Sequence, residues 1–365
     1  MKPIVSVINE AIRKAGAECL PCDRVNLDYE RHGEYRDSDE HRANEVFENP
    51  PPTSRIRVLP EVGPGIPPTL RYFLDGSRRT YKVADLLVRG HYLPLIAGQV
   101  AVAVLHRDPD SLALRPVREL CKLTNVLAFP DQITNADDLK ELASQIRHGT
   151  GHSFELLRYT VKDDRDPVDL GIAKIMSFMA DLELNSVHSL SDSHLLHSSS
   201  VLVKDGPLRY RNLKGRSFDI TQFRNVIGLS KTFRPSFAVG SGRSKRDVGT
   251  ITAALEMGQR TPVFKTLEED RYIGMWYLRI RPRRQMTNPL QGIVKVECYA
   301  IDDREMQDGL DADRVNTLSA HVLRERNVTP YGQDVRWASH IYPIYASESF
   351  MKASFLSDIR FEAMF

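Results

Sequence analysis

A chain of 365 residues can bury a large core as one domain or two, and 41% hydrophobic with 27% charged residues is ordinary for a folded globular protein. The net charge of +2 gives no bulk electrostatic signature of nucleic-acid binding. The longest apolar run, residues 93–105, is interrupted by Gly98 and Gln99 and is too short to cross a bilayer.

Residues 3–18 carry Ile4, Val7, Ile8 and Ile12 at helical spacing and predict a short N-terminal helix. From Asp23 to Thr53 the chain turns polar and aperiodic and ends in Pro50-Pro51-Pro52, which reads as a linker or surface arm. Between Asp23 and Glu48 there are nine acids against four Lys/Arg. The expected division is an N-terminal helix and acidic arm over residues 1–54 and a catalytic domain over 55–365. The N-terminus has no apolar core or small-residue cleavage site of a signal peptide, so cytoplasm is the expected compartment and no membrane is expected. Four cysteines suit that compartment. Cys19-x-x-Cys22 resembles half a zinc site, but Cys121 and Cys298 supply no second half, and ordinary thiols are the expectation.

Leu70 to Leu74 is a β-prone run that stops at Asp75-Gly76-Ser77, predicting a buried strand with a carboxylate at its end and a tight turn after it. The pattern returns at Val201-Leu-Val-Lys-Asp205-Gly206-Pro207. Two strands that each finish in Asp-Gly can point two acids into one cleft, and paired acids hold hard divalent cations for phosphodiester chemistry. Between them, residues 79–106 predict strands and loops, and residues 115–148 a helical region capped near Asn135 and Asp137.

Pro167 opens the most periodic helix, residues 168–190. At 100° per residue, Ile172, Ile175, Met176, Met179, Val187 and Leu190 fall within about 60° of one line, and Glu183 lies about 20° from its centre. Asp181 falls on the opposite side. A carboxylate inside an apolar stripe needs a partner: a buried Arg, a backbone amide or a metal.

Residues 222–231 predict another apolar strand, this one ending in Lys231, and residues 272–281 and 292–301 predict neighbouring strands. Between Lys204 and Arg246 there are eleven Lys/Arg against two acids, a surplus that suits a phosphate backbone or a merely solvated face. Arg78, Arg209, Arg234, Arg243, Lys245, Arg246, Arg281, Arg283 and Arg284 are the candidate DNA contacts. The basic loop 240–246 lacks the spacing of a phosphate-cradling loop. His188, His194 and His197 match no common zinc spacing, Ser77 sits in no nucleophile elbow, and His321 reads as an ordinary helical histidine. Residues 312–326 and Ser347 onward predict the last two helices.

The order of these parts resembles NurA nucleases. It is carried by Leu74-Asp-Gly-Ser77, the helix with Glu183-Leu184, Leu202-Val-Lys-Asp-Gly-Pro-Leu208, Val226-Ile-Gly-Leu-Ser-Lys231, the strand ending Trp276-Tyr-Leu-Arg279, and His340-Ile-Tyr-Pro-Ile-Tyr345, across residues 65–360. The resemblance implies an α/β, RNase H-like core with a central mixed sheet flanked by helices, plus the N-terminal arm. It implies a manganese- or magnesium-dependent DNA nuclease that acts as a homodimer with a HerA-type hexameric ATPase in DNA end processing or anti-phage defence. By motif, Asp75, Glu183 and Asp205 would hold metal and Lys231 would face the scissile phosphate. The family often has a histidine where this chain has Phe350, leaving His340 or Glu348 as a fourth ligand. That departure raises the alternative of an inactive scaffold docked on the ATPase ring. A nuclease acting on RNA or RNA–DNA hybrids is a third reading.

Overall fold

The computed structural model describes residues 2–13, 16–30, 45–63, 65–133, 136–209, 213, 219–239, 245–268, 271–327 and 335–365. In chain order the framing elements are α1 (Ile4–Ile12), β1 (Ala17–Asn26), β2 (Leu70–Val88), β3 (His91–Arg107), β4 (Lys122–Pro130), α2 (Ala136–Thr150), β5 (Glu155–Tyr159) and α3 (Pro167–Asp192). They continue with β6 (Val201–Asp205), β7 (Val226–Ser230), β8 (Phe264–Glu268), β9 (Arg271–Arg279), β10 (Ile293–Tyr299), α4 (Ala312–Arg324), α5 (Tyr342–Ser354) and α6 (Asp358–Glu362).

One large mixed sheet runs β9-β10-β7-β6-β2-β3-β4-β5, with β1 added on β2 and β8 on β9. The β2–β6, β6–β7 and β4–β5 pairs are parallel, and the β2–β3, β3–β4, β7–β10 and β9–β10 pairs antiparallel. Helices cover both faces. That is why β3 is buried along nearly its whole length instead of alternating between apolar and polar. On one face α3 packs Leu184, Val187 and Leu190 against Leu74, Leu202 and Val226. On the other, α4 and α5 pack Leu318 and Ile344 against Phe73, Val203 and Leu229. Asp166 caps α3 by accepting from the Val168 amide, and Pro167 occupies its first turn.

Three expectations are corrected. The strand carrying Asp75 does not stop there. It runs 19 residues, with Asp75-Gly76-Ser77 mid-strand, because β3 pairs with it from Tyr72 to Val88 and no turn is needed. The supposed linker from Asp23 opens instead as the last four residues of β1, whose Asn26 pairs with Tyr81, followed by a short helix, Leu27–Glu30. Residues 115–148 hold a 3-10 turn at Arg118–Leu120 and are α-helical only from Ala136. Before it, β4 takes the apolar run Val126–Phe129 into the sheet beside β3. Residues 31–44 of the arm, the cap Asn135 and the side chain of Asp137 lie outside the described residues. All four cysteines are free thiols. Among the described residues no helix is long and apolar enough to cross a membrane.

The helix that closes the sheet over Asp75 is anchored by a buried ion pair. Arg107 Nη1 and Nη2 lie 2.5 and 2.6 Å from the two Glu325 carboxylate oxygens, and the Glu325 carbonyl accepts from the Tyr342 amide at 2.8 Å where α5 begins. Breaking one side of such a pair strands a charge. Glu325→Gln is expected to lower unfolding free energy by about 3–5 kcal/mol in urea denaturation, against a small effect for a surface Glu such as Glu10.

Candidate functional site

Pleat alternation decides where the acids point. Phe73 and Val203 face α5, and two residues further along each strand stand Asp75 and Asp205. Both aspartates therefore project to the α5 face from adjacent parallel strands. Asp75 is buried. Burial first, and then the Asp205 charge, push its pKa well above the ordinary carboxyl value, against the pull of Lys231.

Lys231, just past β7, sets its Nζ 2.9 Å from Asp205 Oδ2 and 4.0 Å from Glu348 Oε2 on α5. Burial works against this ammonium, yet the charges of Asp205, Asp75 and Glu348 raise its pKa. Glu348 also takes a 2.7 Å contact from Lys352 one turn on. Burial opposes its ionisation, but Lys231, Lys352 and His340 hold its pKa below the usual value. His340 is buried, with its ring edge-on to Tyr345. Phe350 is 41% exposed on the same helix.

Glu183 is buried as its place in the apolar stripe predicts, but it comes from the α3 side of the sheet. Its Oε2 lies 2.8 Å from Lys204 Nζ. Its Oε1 stands against Gly76, where any Cβ would collide with it. Lys204 faces α3 because it alternates with Asp205, and its Nζ also donates to the Asp205 carbonyl at 3.0 Å. Burial works against this ammonium, and Glu183 more than restores it. Lys204 is the site residue that sequence reasoning missed. Its signal was a lysine inside the apolar run Val201–Val203, which can be buried only with a carboxylate partner.

The structure thus brings Asp75, Asp205, Lys231 and Glu348 together on one face, with Glu183 and Lys204 across the sheet. Of the basic candidates, Arg209, Arg234, Lys245, Arg283 and Arg284 are exposed. Arg78 is bound to Asp28 at 2.6 Å and to Thr80. Arg281 lies over the Trp337 ring and donates to the carbonyls of Ala338 and Arg326. Arg243 and the side chain of Arg246 lie outside the described residues.

The donor set fits a divalent cation at the aspartate pair. Asp205 Oδ1 is buried with no hydrogen-bond partner among the described residues. Four carboxylates meet the ammoniums of Lys204, Lys231 and Lys352, and at Asp75 burial first and then the neighbouring Asp205 charge raise the pKa. Hard cations such as Mg2+ take one or two carboxylates and fill their remaining positions with water or phosphate oxygens. Among the described residues, no three His, Cys, Asp or Glu side chains form a ready metal cluster. No protein-family model matches this chain, and no curated protein matches it.

Asp75 gives the site a pH signature. Above the unfolded carboxyl value near 3.8 and up to the raised folded value, the folded state holds the proton that the unfolded state has lost. Metal-free stability therefore falls as pH rises through that window. Asp75→Asn removes the titration, so urea denaturation in EDTA is expected to show the variant gaining on the parent from about pH 4 upward, by at most about 1.4 kcal/mol per pH unit. A difference that does not change with pH rules the buried, protonated Asp75 out.

Proposed function

We propose that this protein is a metal-dependent DNA nuclease with an RNase H-like core. The observation that carries the reading is the pair Asp75 and Asp205 on one face of two adjacent parallel strands: Asp75 is buried with its pKa raised well above the ordinary carboxyl value, and Asp205 is half-buried with one oxygen unpartnered among the described residues. An acid from the long strand, a helical Glu and an acid ending the parallel neighbour follow the site order that the NurA resemblance implies, and on the late helix, where the family often has a histidine, this chain offers Glu348.

Asp75 and Asp205 would hold the ion, with Glu348 the nearest further carboxylate on that face. Bound there, Mn2+ or Mg2+ supplies Lewis-acid polarisation of a phosphate oxygen and a water of lowered pKa. Asp75 would be deprotonated to hold such a cation. Lys231, kept cationic by Asp205, is placed to neutralise charge developing on phosphate. Glu348 lies 4.0 Å from the same ammonium. Exposed Arg209, Arg234, Arg283 and Arg284 lie just beyond the ends of β6, β7 and β9, in segments suited to following a phosphate backbone. The homodimer and the HerA-type ATPase partner belong to the same reading and rest on the motif resemblance.

A second reading, the scaffold without catalysis, is favoured by the ammoniums of Lys231 and Lys204, which already sit on Asp205 and Glu183. End-labelled DNA with and without manganese separates the two. The parent chain is expected to degrade DNA only with the metal, and Asp75→Ala and Asp205→Ala to lose about 100-fold or more in rate while keeping their circular dichroism. Parent-level degradation by both variants sinks the nuclease reading, and a parent inert with manganese favours the scaffold.

A further inference from the structure

We propose that Glu183 is a positioning residue and not a metal ligand: it holds the Lys204 ammonium on the α3 side of the sheet, away from Asp75 and Asp205. The inference rests on the metal-site reading above and departs from the role the motif resemblance gives this glutamate.

Three features point the same way. First, the pleat separates the groups. Asp75 and Asp205 follow Phe73 and Val203 towards α5, whereas Glu183 sits among Leu184, Val187 and the α3-facing residues Leu74 and Leu202. Second, the Glu183 carboxylate is already committed. One oxygen takes Lys204 at 2.8 Å, and the other fills the space that Gly76 leaves by having no side chain. Third, Lys204 is the cation best placed to interfere. It is buried, adjacent in sequence to Asp205, and its Nζ reaches the Asp205 carbonyl at 3.0 Å. The charges of Asp205 and Asp75, as well as that of Glu183, act on this ammonium. A buried ammonium with no glutamate to answer it has only the two aspartates left as counter-charges, and it then competes with any cation bound between them.

A positioning role and a ligand role predict opposite outcomes for a double variant. Mn2+ binding to the full chain is measured by isothermal titration calorimetry and by the loss of the free-Mn2+ electron paramagnetic resonance signal. Glu183→Gln is expected to weaken binding by about 10-fold or more, the usual size of an outer-sphere loss. Adding Lys204→Gln removes the freed ammonium and is expected to return affinity to within about 3-fold of the parent. A double variant that stays weaker than that overturns the proposal, as does a single variant with unchanged affinity. If Glu183→Gln alone does not fold, the double variant, near-isosteric and charge-balanced, decides by the same 3-fold limit. Asp75→Ala serves as the reference. Loss of Mn2+ binding there, with no rescue in the double variant, rejects the Glu183 role alone. Unchanged Mn2+ binding in Asp75→Ala rejects the metal site itself.

Discussion

Everything at this site follows from carboxylates that have lost their water. Helices cover both faces of the sheet, so an acid at the junction of β2 and β6 must be answered from within the protein. The chain answers with lysines placed at strand ends: Lys204 at the end of β6 on Glu183, and Lys231 just after β7 between Asp205 and Glu348. Asp75 has no such ion pair among the described residues, and burial raises its pKa. Buried pairs of this kind add little net stability, because desolvation offsets most of the attraction. The cluster therefore reads as a device for binding, held in place by the apolar core around it.

The opening for that device comes from a change of neighbour along β2. Its parallel partner β6 leaves at Leu74, and its antiparallel partner β1 arrives only at Tyr81. Between them, residues 75–80 pair with β3 on one side and lack a strand on the other. Side chains make good part of the missing ladder. Asp28 accepts from the Thr80 amide at 3.0 Å and from Arg78, and Asp358 of α6 accepts from Arg79 and the Tyr81 hydroxyl. Asp75 and Gly76 lie at the start of this gap, the one buried on the α5 face and the other against Glu183. A long strand that exchanges partners midway thus creates a polar window in an otherwise apolar layer.

The acids were legible in the sequence because charge interrupts periodicity. Glu183 interrupts its apolar helical stripe and is buried, and Asp205 and Lys231 close short β-prone runs and meet half-buried as an ion pair. The continuation of β2 past Asp75 was not legible. Asp-Gly-Ser is ordinary turn chemistry, and only the pairing with β3, distant from any local signal, keeps the backbone extended. Several strands followed from apolar runs of strand length and the mixed central sheet from the family resemblance, whereas β4 was lost to a helical expectation because short apolar runs serve either element. Lys204 was missed since its partner lies 21 residues upstream on a helix, and a lysine beside an aspartate looks solvated until the strand's two faces are told apart. Arg78 and Arg281 show the reverse case. Exposed by composition, they are tied to Asp28 and stacked on Trp337 in the fold.

Register is therefore the quantity on which the chemistry turns. In β6 the dipeptide Lys204-Asp205 sends its cation to the α3 face and its anion to the α5 face, and a slip by one residue would exchange them. Three contacts beyond the strand oppose that slip. Gly206 takes φ +81°, which turns the chain at once and suits glycine. The returning segment lies against Gly228, where a Cβ would come within 2.9 Å of Leu208 Cγ. The Leu208 amide donates to buried Glu297 at 2.8 Å, and Glu297 is itself paired with Lys295 at 2.9 Å on β10. A second buried acid and lysine, with no place in the carboxylate cluster, thus fix the turn that fixes Asp205. Buried polar residues around the site include some that meet at the cluster and others, Glu297 and Lys295, that hold a strand at the register where the meeting occurs.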